Sequence, residues 1–400
     1  DKYLVFKQDL EDLIKNDIEE LNKEYSNIYD LLIKGGFYIE DDVNEYDSLK
    51  KLSSDIINNE SSYFVMINPT LACNFKCWYC YENHIPDSKM SEETINRTIN
   101  LFKNIIQNNS KLGSFSISFF GGEPLLYFKS VVLPLLQAHS NLCEENNIHK
   151  SLSFTSNGAL VNEFMITEMK KLYNEISFQI TLDGDREKHN KVRFFGKDKG
   201  SYDIILDNVK LLLTNGIGVT LRINYTSDNI DSVKNILNDL NIDDAQRKYF
   251  NIDFHRVWQD KEKSAPDEVL DNVIDKFYKQ GFHVSSKDIN MIKRPCYADV
   301  KNTVLVNYNG DVYKCTARDF SPDSRYGYLN KEGNIIWERG LIDKRLNIKF
   351  QNPLCKDCRI APLCGGGCSQ FIKEKNGKNY CLYCDDSSKN QVILDRFDQH

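Results

Sequence analysis

Between residues 63 and 257 the sequence alternates regularly between short strand patterns and longer helical patterns. The short segments alternate apolar and polar residues, and the segments between them repeat apolar residues at helical spacing. The predicted strands are residues 64–68, 115–120, 152–156, 176–182, 219–225 and 252–257. Strands joined by crossover helices form parallel sheets or barrels. Six units are two short of a closed eight-stranded barrel, so the sequence predicts an α/β fold built on a partial (β/α)6 TIM-like barrel.

One face of the predicted strands is polar, and the opposite face is apolar. The polar positions are Ser116, Ser118, Ser153, Thr155, Gln179, Thr181, Asp183, Thr220, Arg222, Asn224, Asn251, Asp253 and His255. A half-solvated antiparallel strand shows the same alternation and is the alternative interpretation. In a barrel, the crossover helices cover the apolar face, which leaves the polar face to line the interior. The sequence therefore predicts a hydrated lumen that holds a polar ligand.

Length and charge limit the classes of function. The chain has 400 residues, 41% of them hydrophobic, which is enough to bury a sizeable core. Its net charge of -7 opposes binding to nucleic acid, which requires a basic face. No apolar run approaches the roughly 20 residues of a membrane-spanning helix, and no signal-peptide pattern opens the chain. We expect a cytoplasmic protein with neither a nucleic-acid nor a membrane partner.

The first 62 residues differ in composition from the rest, with sixteen acidic and seven basic side chains. Apolar residues recur there at helical spacing up to Gly35 and Gly36. We therefore divide the chain into an acidic N-terminal module (1–62), the partial barrel (63–280) and a cysteine-rich C-terminal domain (281–400). The short apolar stretch from residue 3 to residue 6 is a candidate strand of the N-terminal module.

Eleven of the twelve cysteines fall in two groups, and Cys143 stands apart in a helical stretch as a small buried apolar residue. Cys73, Cys77 and Cys80 form a C-x3-C-x2-C loop after the first predicted strand, at the end of a barrel where active sites lie. Three thiolates on one loop can hold an iron-sulfur cluster and leave its fourth iron open. Zinc is the alternative, with His84 as the candidate fourth ligand.

The second group lies near the C-terminus and has regular spacing. Its members are Cys296, Cys315, Cys355, Cys358, Cys364, Cys368, Cys381 and Cys384. Such spacing indicates metal sites rather than disulfides, and a zinc ribbon is the alternative to iron-sulfur clusters.

A Gly-Gly-Glu sequence follows the second predicted strand, at Gly121, Gly122 and Glu123. Two glycines permit close approach to the backbone, and a carboxylate can bind a cation. Alone, such a turn before a helix is weak evidence. Its position one strand away from the three-cysteine loop makes the combination specific.

This combination resembles the radical S-adenosylmethionine (radical SAM) superfamily. The resemblance implies that Cys73, Cys77 and Cys80 hold a [4Fe-4S] cluster whose open iron binds the amine and carboxylate of SAM. It further implies a SAM-binding role for Tyr79 at the adenine, for Gly121, Gly122 and Glu123 at the amino group, for Ser156 and Asn157 at the ribose or methionine moiety, and for Thr181 and Arg193. Arg222 is a candidate partner of a carboxylate, and an ion pair with Asp183 or Asp253 is the alternative.

The C-terminal cysteines resemble the SPASM extension of radical SAM enzymes. By this resemblance Cys296, Cys315 and Cys368 bind a first auxiliary cluster. Cys355, Cys358 and Cys364 bind a second, with Cys381 as the favoured fourth ligand and Cys384 unassigned. Three [4Fe-4S] clusters and SAM are the implied cofactors. Either eleven cysteines serve as ligands, or ten do and the first auxiliary cluster keeps an open iron.

The resemblance implies an oxidoreductase that receives an electron from flavodoxin or ferredoxin, cleaves SAM to a 5'-deoxyadenosyl radical and abstracts hydrogen from a substrate. The closest likeness is to maturases of ribosomally synthesised peptides (RiPPs), which install thioether or carbon-carbon crosslinks. Residues 1–62 would then be a winged-helix-like element that binds the leader of a precursor peptide, or else a helical cap on the barrel.

Two other functions stay open. An anaerobic sulfatase-maturating enzyme should have an Asp directly after Cys315, where this chain has Thr316, although Asp319 is near. A non-catalytic electron carrier or peptide-binding scaffold would not need the three-cysteine loop with its Gly-Gly-Glu partner.

Overall fold

The computed structural model describes residues 6–195, 199–260, 267–285, 292–375 and 380–397. The strands are β1 (Ser62–Ile67), β2 (Ser114–Phe119), β3 (His149–Ser156), β4 (Ile176–Leu182), β5 (Phe194–Phe195), β6 (Lys199–Gly200), β7 (Gly218–Tyr225), β8 (Phe250–Arg256), β9 (Thr303–Val306), β10 (Asp311–Tyr313), β11 (Gly327–Leu329) and β12 (Ile335–Trp337). The α-helices are α1 (Glu11–Asn16), α2 (Ile18–Glu24), α3 (Ser26–Gly35), α4 (Glu45–Ile57), α5 (Glu92–Gln107), α6 (Leu133–Glu145), α7 (Glu163–Leu172), α8 (Arg186–Val192), α9 (Tyr202–Thr214), α10 (Ile236–Asp239), α11 (Asp244–Arg247), α12 (Asp267–Lys279), α13 (Leu341–Leu346), α14 (Ala361–Cys364), α15 (Ser369–Glu374) and α16 (Asp386–Phe397).

Six strands form the parallel sheet that the sequence predicts. They lie in the order β1-β2-β3-β4-β7-β8, and each pairs in parallel with its neighbour. Their ends differ only slightly from the predicted ones. The α/β fold with a partial TIM-like barrel is confirmed.

The sheet continues beyond these six strands. The sequence did not predict this continuation. β9 pairs in parallel with β1, and β10, β11 and β12 extend the sheet through antiparallel pairs. β1 would otherwise be an edge strand with unpaired backbone groups. The C-terminal segment satisfies them, so its first strands share one sheet with the barrel.

The two faces of the parallel strands differ as expected. On the outer face, the rings of Phe119, Phe154 and Phe178 stack at centroid distances of 5.2 and 4.7 Å inside a continuous apolar core. On the inner face, the register places Thr181 beside Arg222 and Arg222 beside Asp253. The polar positions therefore line the interior, because the helices cover the apolar ones.

The described part of the N-terminal module, residues 6–61, is helical and contains no strand. Side chains cap its helices: Asp17 accepts a hydrogen bond from the Glu20 backbone at α2, and Asn44 from the Asp47 backbone at α4. The Tyr46 hydroxyl donates to the Phe350 carbonyl oxygen at 2.6 Å, which ties α4 to the C-terminal part. Most of the candidate strand at residues 3–6 lies outside the described residues. In the described parts of the chain, no helix has the length and apolar character to cross a bilayer.

Candidate active site

The three cysteines of the first group lie on the loop that follows β1. Phe75, 1% exposed, anchors the loop against Phe195 at a ring distance of 5.0 Å. Cys73, Cys77 and Cys80 line one cavity at the carboxyl ends of the strands. Burial raises the pKa of Cys73 to about 12 and of Cys80 to about 11, and the neighbouring thiols add to both shifts. The three thiols therefore lie in the wall of one cavity.

Most of the predicted SAM-binding residues line this cavity together with the thiols. They are Tyr79, Gly121, Gly122, Ser156, Asn157, Thr181, Arg193 and Arg222. Glu123 is the exception, because it does not belong to the cavity wall. The structure thus brings together residues from the ends of five strands.

The Gly-Gly turn packs directly on the start of the cysteine loop. The Gly122 N–H donates to the Thr70 carbonyl oxygen at 3.1 Å, and the Glu123 N–H donates to that of Ala72 at 2.9 Å. A Cβ on Gly122 would stand 2.2 Å from the Ala72 carbonyl oxygen, and a Cβ on Gly121 would stand 2.4 Å from that of Thr70. The glycines are required here because loop backbone occupies the space that a side chain would need.

We expect Gly122→Ala to displace the cysteine loop, since a backbone oxygen cannot yield as a flexible side chain can. The overpacking should lower the free energy of unfolding by about 1–3 kcal/mol. It should also reduce the iron bound after anaerobic reconstitution. Chemical denaturation and iron analysis measure the two effects. Gly113→Ala is the matched control, because its Cβ would meet its nearest atom at 3.8 Å; equal behaviour of the two variants would contradict the close-packing argument.

Glu123 is bonded to protein donors behind the cavity wall. It is fully buried, and its carboxylate accepts hydrogen bonds from the Ser156 hydroxyl (2.9 Å) and from the backbone N–H groups of Asn157 (2.8 Å) and Leu125 (3.0 Å). Burial raises the pKa of this carboxyl, and the hydrogen bonds oppose the shift. Through these hydrogen bonds the carboxylate holds the end of β3 in place.

Through this contact Glu123 also positions the cysteine loop. The Asn157 side-chain amide donates to the Asn74 side-chain oxygen at 2.8 Å, and its Nδ2 lies 4.0 Å from the Cys73 Sγ. Asn157 is therefore placed by Glu123 on one side and contacts the loop on the other.

A buried network joins the loop to β4 and to the end of α8. Asp183, 2% exposed, forms an ion pair with Arg193 and accepts a hydrogen bond from the Tyr79 hydroxyl at 2.6 Å. The Arg193 guanidinium also donates to that hydroxyl at 2.7 Å, and the Asn224 amide donates to it at 3.1 Å. The Tyr79 ring is thereby held at the cavity wall, with its hydroxyl turned toward protein partners.

Arg222 is a cation of the barrel lumen. Among the described residues, no carboxylate oxygen lies within 4 Å of its guanidinium. Its Nε donates to the Asn224 side-chain oxygen at 3.0 Å. The alternative ion pairs do not form, because Asp183 pairs with Arg193, and Asp253 lies 2.7 Å from the Nε2 of His255. Burial lowers the pKa of Arg222, and the charge of Asp253 opposes the shift. The guanidinium keeps donors for a carboxylate in the cavity.

Glu82, His84 and Gln259 also line the cavity, and of these the sequence had suggested only His84, as a fourth ligand of a zinc ion. Glu82 is 8% exposed, and neither of its carboxylate oxygens has a hydrogen-bond partner. The Gln259 Nε2 donates to the Tyr79 carbonyl oxygen at 2.6 Å, while its Oε1 is buried without a partner. The His84 Nε2 lies 3.4 Å from the Cys80 Sγ. The proximity of Glu82 to the cysteine loop was visible in the sequence, but its burial was not.

Two members of the second cysteine group lie near each other, close to the end of the barrel. Burial raises the pKa of Cys296 to about 11, and the thiol of Cys315 is close enough to add to the shift. Tyr297 lies beside both thiols, and its hydroxyl accepts a hydrogen bond from the Thr316 backbone N–H at 2.9 Å. Thr316, where a sulfatase maturase should have an Asp, is thus hydrogen-bonded to Tyr297.

Four of the other six cysteines of this group influence one another electrostatically. Burial raises the pKa of Cys355 to about 11, and the thiols of Cys364, Cys358 and Cys381 add to it in that order. Burial likewise raises the pKa of Cys364, with the thiols of Cys381 and Cys358 adding to the shift. The charges of Cys358, Cys364 and Cys381 thus act on one another or on Cys355.

The donor chemistry fits the expected cofactors. Three soft thiol ligands come from one short loop, which suits an iron-sulfur cluster, and the same cavity offers hydroxyl, amide and guanidinium groups to a polar ligand. Among the described residues, no three His, Cys, Asp or Glu side chains converge on one point as the ligands of a single metal ion would.

Comparisons with known proteins agree with this geometry. The model of the radical SAM superfamily matches residues 67–240. The chain is 25% identical over 370 residues to a cysteine-type anaerobic sulfatase-maturating enzyme of Clostridium novyi, covering 81% of this chain and 93% of that protein. It is 24% identical over 401 residues to the radical SAM cyclopropyl synthase TigE of Paramaledivibacter caminithermalis, covering 89% of this chain and 79% of that protein.

The fold has close counterparts among solved structures. Native anSMEcpe with bound AdoMet (SAM) and Cp18Cys peptide superimposes with a TM-score of 0.61 at 19% identity, covering 84% of this chain and 97% of that one. The superfamily implies a [4Fe-4S] cluster and SAM as cofactors. The chain is therefore an enzyme that contains a domain of the radical SAM superfamily, at residues 67–240.

Proposed function

We propose that this enzyme is a peptide maturase that cleaves SAM reductively and crosslinks a ribosomally synthesised precursor peptide. One observation carries the proposal: three thiols of one loop share a cavity with an uncompensated guanidinium and several hydroxyl and amide groups. When bound at Cys73, Cys77 and Cys80, the cluster and SAM supply the 5'-deoxyadenosyl radical that abstracts hydrogen from the substrate.

The residues of the chain bind and orient SAM. Arg222 offers a guanidinium to its carboxylate, while the Thr181 hydroxyl and the Gly121 and Gly122 backbone lie on the same wall. The Tyr79 ring, fixed by Asp183, offers an apolar face to adenine. The buried barrel floor excludes water, which protects a reactive intermediate from side reactions.

We further propose two auxiliary clusters. Cys296, Cys315 and Cys368 would bind the first and leave one iron without a cysteine ligand. Cys355, Cys358, Cys364 and Cys381 would bind the second, which the mutual influence of their thiols supports. Full occupancy gives about twelve irons per chain.

Replacement of Cys381 and replacement of Cys384 should have different effects on the iron content of the protein. Cys381→Ala is expected to lose about four irons per chain, because the second auxiliary site then keeps only three thiols. Cys384→Ala is the matched control and should retain all of them. Iron and sulfide analysis of the anaerobically reconstituted variants measures the difference. Equal iron loss in both variants would contradict the assignment of Cys381.

The proposal of a peptide substrate is supported by the relatives. The solved anSMEcpe structure contains a peptide, and TigE is a cyclopropyl synthase. The parallel sheet ends at β8, so the barrel has a side that can admit a long substrate. In this proposal the acidic module of residues 1–62 contacts the leader, and flavodoxin or ferredoxin supplies the electron.

The test uses the reconstituted full chain with dithionite and SAM under anaerobic conditions. Release of 5'-deoxyadenosine is expected, together with loss of hydrogen mass from the short peptide encoded beside the gene, seen by mass spectrometry. Absence of 5'-deoxyadenosine would overturn the proposal. A peptide that carries formylglycine in place of a crosslink would instead favour the sulfatase-maturase function, which the 25% identity to the C. novyi enzyme keeps as second candidate.

A further inference from the structure

The C-terminal part of the chain buries a small cluster of charged side chains. At its centre the Asp299 carboxylate, 2% exposed, forms ion pairs with Lys349 at 2.8 Å and with Arg345 at 3.5 Å. The side chains of these two cations are only 5% and 3% exposed. Asp299 is the one carboxylate within 4 Å of either cation among the residues that the structure describes. Two buried cations therefore share a single carboxylate.

This buried cluster has an excess of positive charge. An arginine keeps its proton in a protein, so the charge of Arg345 is permanent. Charged side chains are almost never fully buried unless they are paired, because an uncompensated buried charge is costly. Burial raises the pKa of Cys296 to about 11, and the charge of Arg345 opposes this shift. The excess positive charge thus acts on a thiol proposed for the first auxiliary cluster.

The Arg345 guanidinium also connects two of the segments that carry the thiols proposed for this cluster. Its Nε donates to the Ala298 carbonyl oxygen at 2.8 Å, and Ala298 lies two residues after Cys296. Its Nη1 donates to the Gln370 Oε1 at 2.8 Å, and Gln370 lies two residues after Cys368. One planar side chain, with donors that point in fixed directions, therefore holds both segments.

Further hydrogen bonds complete the arrangement. The Ser369 hydroxyl, directly after the second of these segments' cysteine, donates to the Asp299 carboxylate. The Lys314 Nζ donates to the Val300 carbonyl oxygen at 2.6 Å, which attaches the segment of the neighbouring Cys315 to the same region. Hydrogen bonds of the polypeptide itself thus hold together the three segments that carry the proposed ligands.

We propose that Arg345 is a positioning residue of the first auxiliary site and that its charge favours the reduced state of the cluster bound there. The inference rests on the proposed function for the presence of that cluster. Reduction adds one electron, supplied in the test by dithionite, and makes a thiolate-bound cluster more negative. A buried cation nearby stabilises the more negative state, and therefore raises the reduction potential.

The test is a potentiometric titration of the reconstituted full chain with dithionite, followed by electron paramagnetic resonance. The wild type should show three cluster transitions, and the transition that is lost in Cys296→Ala belongs to the first auxiliary cluster. Arg345→Gln should lower the midpoint potential of this transition by about 59 mV or more, which is a tenfold change in a one-electron equilibrium. The midpoints of the other two clusters should not change and serve as internal controls.

Two further variants separate the charge from the hydrogen bonds. Arg345→Lys also loses the planar set of donors but keeps the positive charge, so its reduction equilibrium should stay within about threefold of the wild type. Arg325→Gln is the matched control, because this guanidinium pairs with Asp311 and Glu338 at a 32% exposed position. It should leave all three midpoints unchanged. If Arg345→Gln binds only the other two clusters, recovery of the third in Arg345→Lys supports the inference, and equal loss in both variants contradicts it.

The outcomes distinguish this inference from the proposed function. Equal midpoints in the wild type and in Arg345→Gln would overturn the inference and leave the three proposed clusters in place. A wild type with about eight irons and two transitions would lack the first auxiliary cluster, and would overturn the inference together with that part of the proposal. Release of 5'-deoxyadenosine by the wild type is measured separately, so the cleavage of SAM can stand in either case.

Discussion

Replacing Cys73, Cys77 and Cys80 together by alanine should abolish 5'-deoxyadenosine formation and remove about four irons per chain. These are the only thiols among the described residues that line the cavity with Arg222 and Thr181. Without them no ligand holds a cluster next to the proposed SAM site. Liquid chromatography of the quenched reaction and iron analysis measure the two losses.

Cys143→Ala is the matched control for this experiment. Cys143 is fully buried in α6, with its Sγ 3.6 Å from the His139 Nε2, far in sequence from both cysteine groups. This variant should keep the full iron content and the wild-type rate. Residual 5'-deoxyadenosine from the triple variant would show that another part of the chain supports the cleavage.

Asp183→Ala is expected to lower the free energy of unfolding by about 3–5 kcal/mol, since it leaves the Arg193 charge buried without its partner. The side chains of the pair are 2% and 10% exposed. The Tyr79 hydroxyl loses an acceptor at the same time. Denaturant titration of the full chain measures the stability, and equilibrium dialysis measures the SAM affinity, which should fall as the Tyr79 ring loses its fixed position.

Two further variants test whether loss of the buried ion pair causes the lower stability of Asp183→Ala. Asp203→Ala removes an exposed pair with Arg186, whose side chains are 67% and 52% exposed, and should cost about 1 kcal/mol or less. Asp183→Asn keeps the shape and one acceptor, and should recover part of the stability but less of the SAM affinity. A stability loss for Asp183→Ala as small as that for Asp203→Ala would contradict the role of the buried network.

Local patterns were sufficient for the barrel. Periodic apolar residues depend only on neighbours along the chain, and they identified all six parallel strands and their polar faces. The polar lumen followed from that periodicity once crossover helices were assigned to the apolar face. The register of the strands then places two of these polar residues, Thr181 and Arg222, side by side.

Local patterns do not identify the hydrogen-bond partners of a buried polar group. The prediction for Glu123 named SAM as its partner, and the structure adds that its carboxylate accepts hydrogen bonds from Ser156, Asn157 and Leu125. Which donors surround a carboxylate depends on segments more than thirty residues away in the chain. For the same reason, the sequence does not show that the buried carboxylate oxygens of Glu82 lack a hydrogen-bond partner.

The sequence by itself determined the order of strands and helices, the two groups of cysteines and the side of the barrel where the first group lies, because period and spacing are properties of short segments. Only the tertiary structure decided that β9 joins β1 in one sheet and that Asp183 pairs with Arg193. These contacts join distant segments. Their energy comes from burial and from backbone pairing, which exist only once the chain has folded.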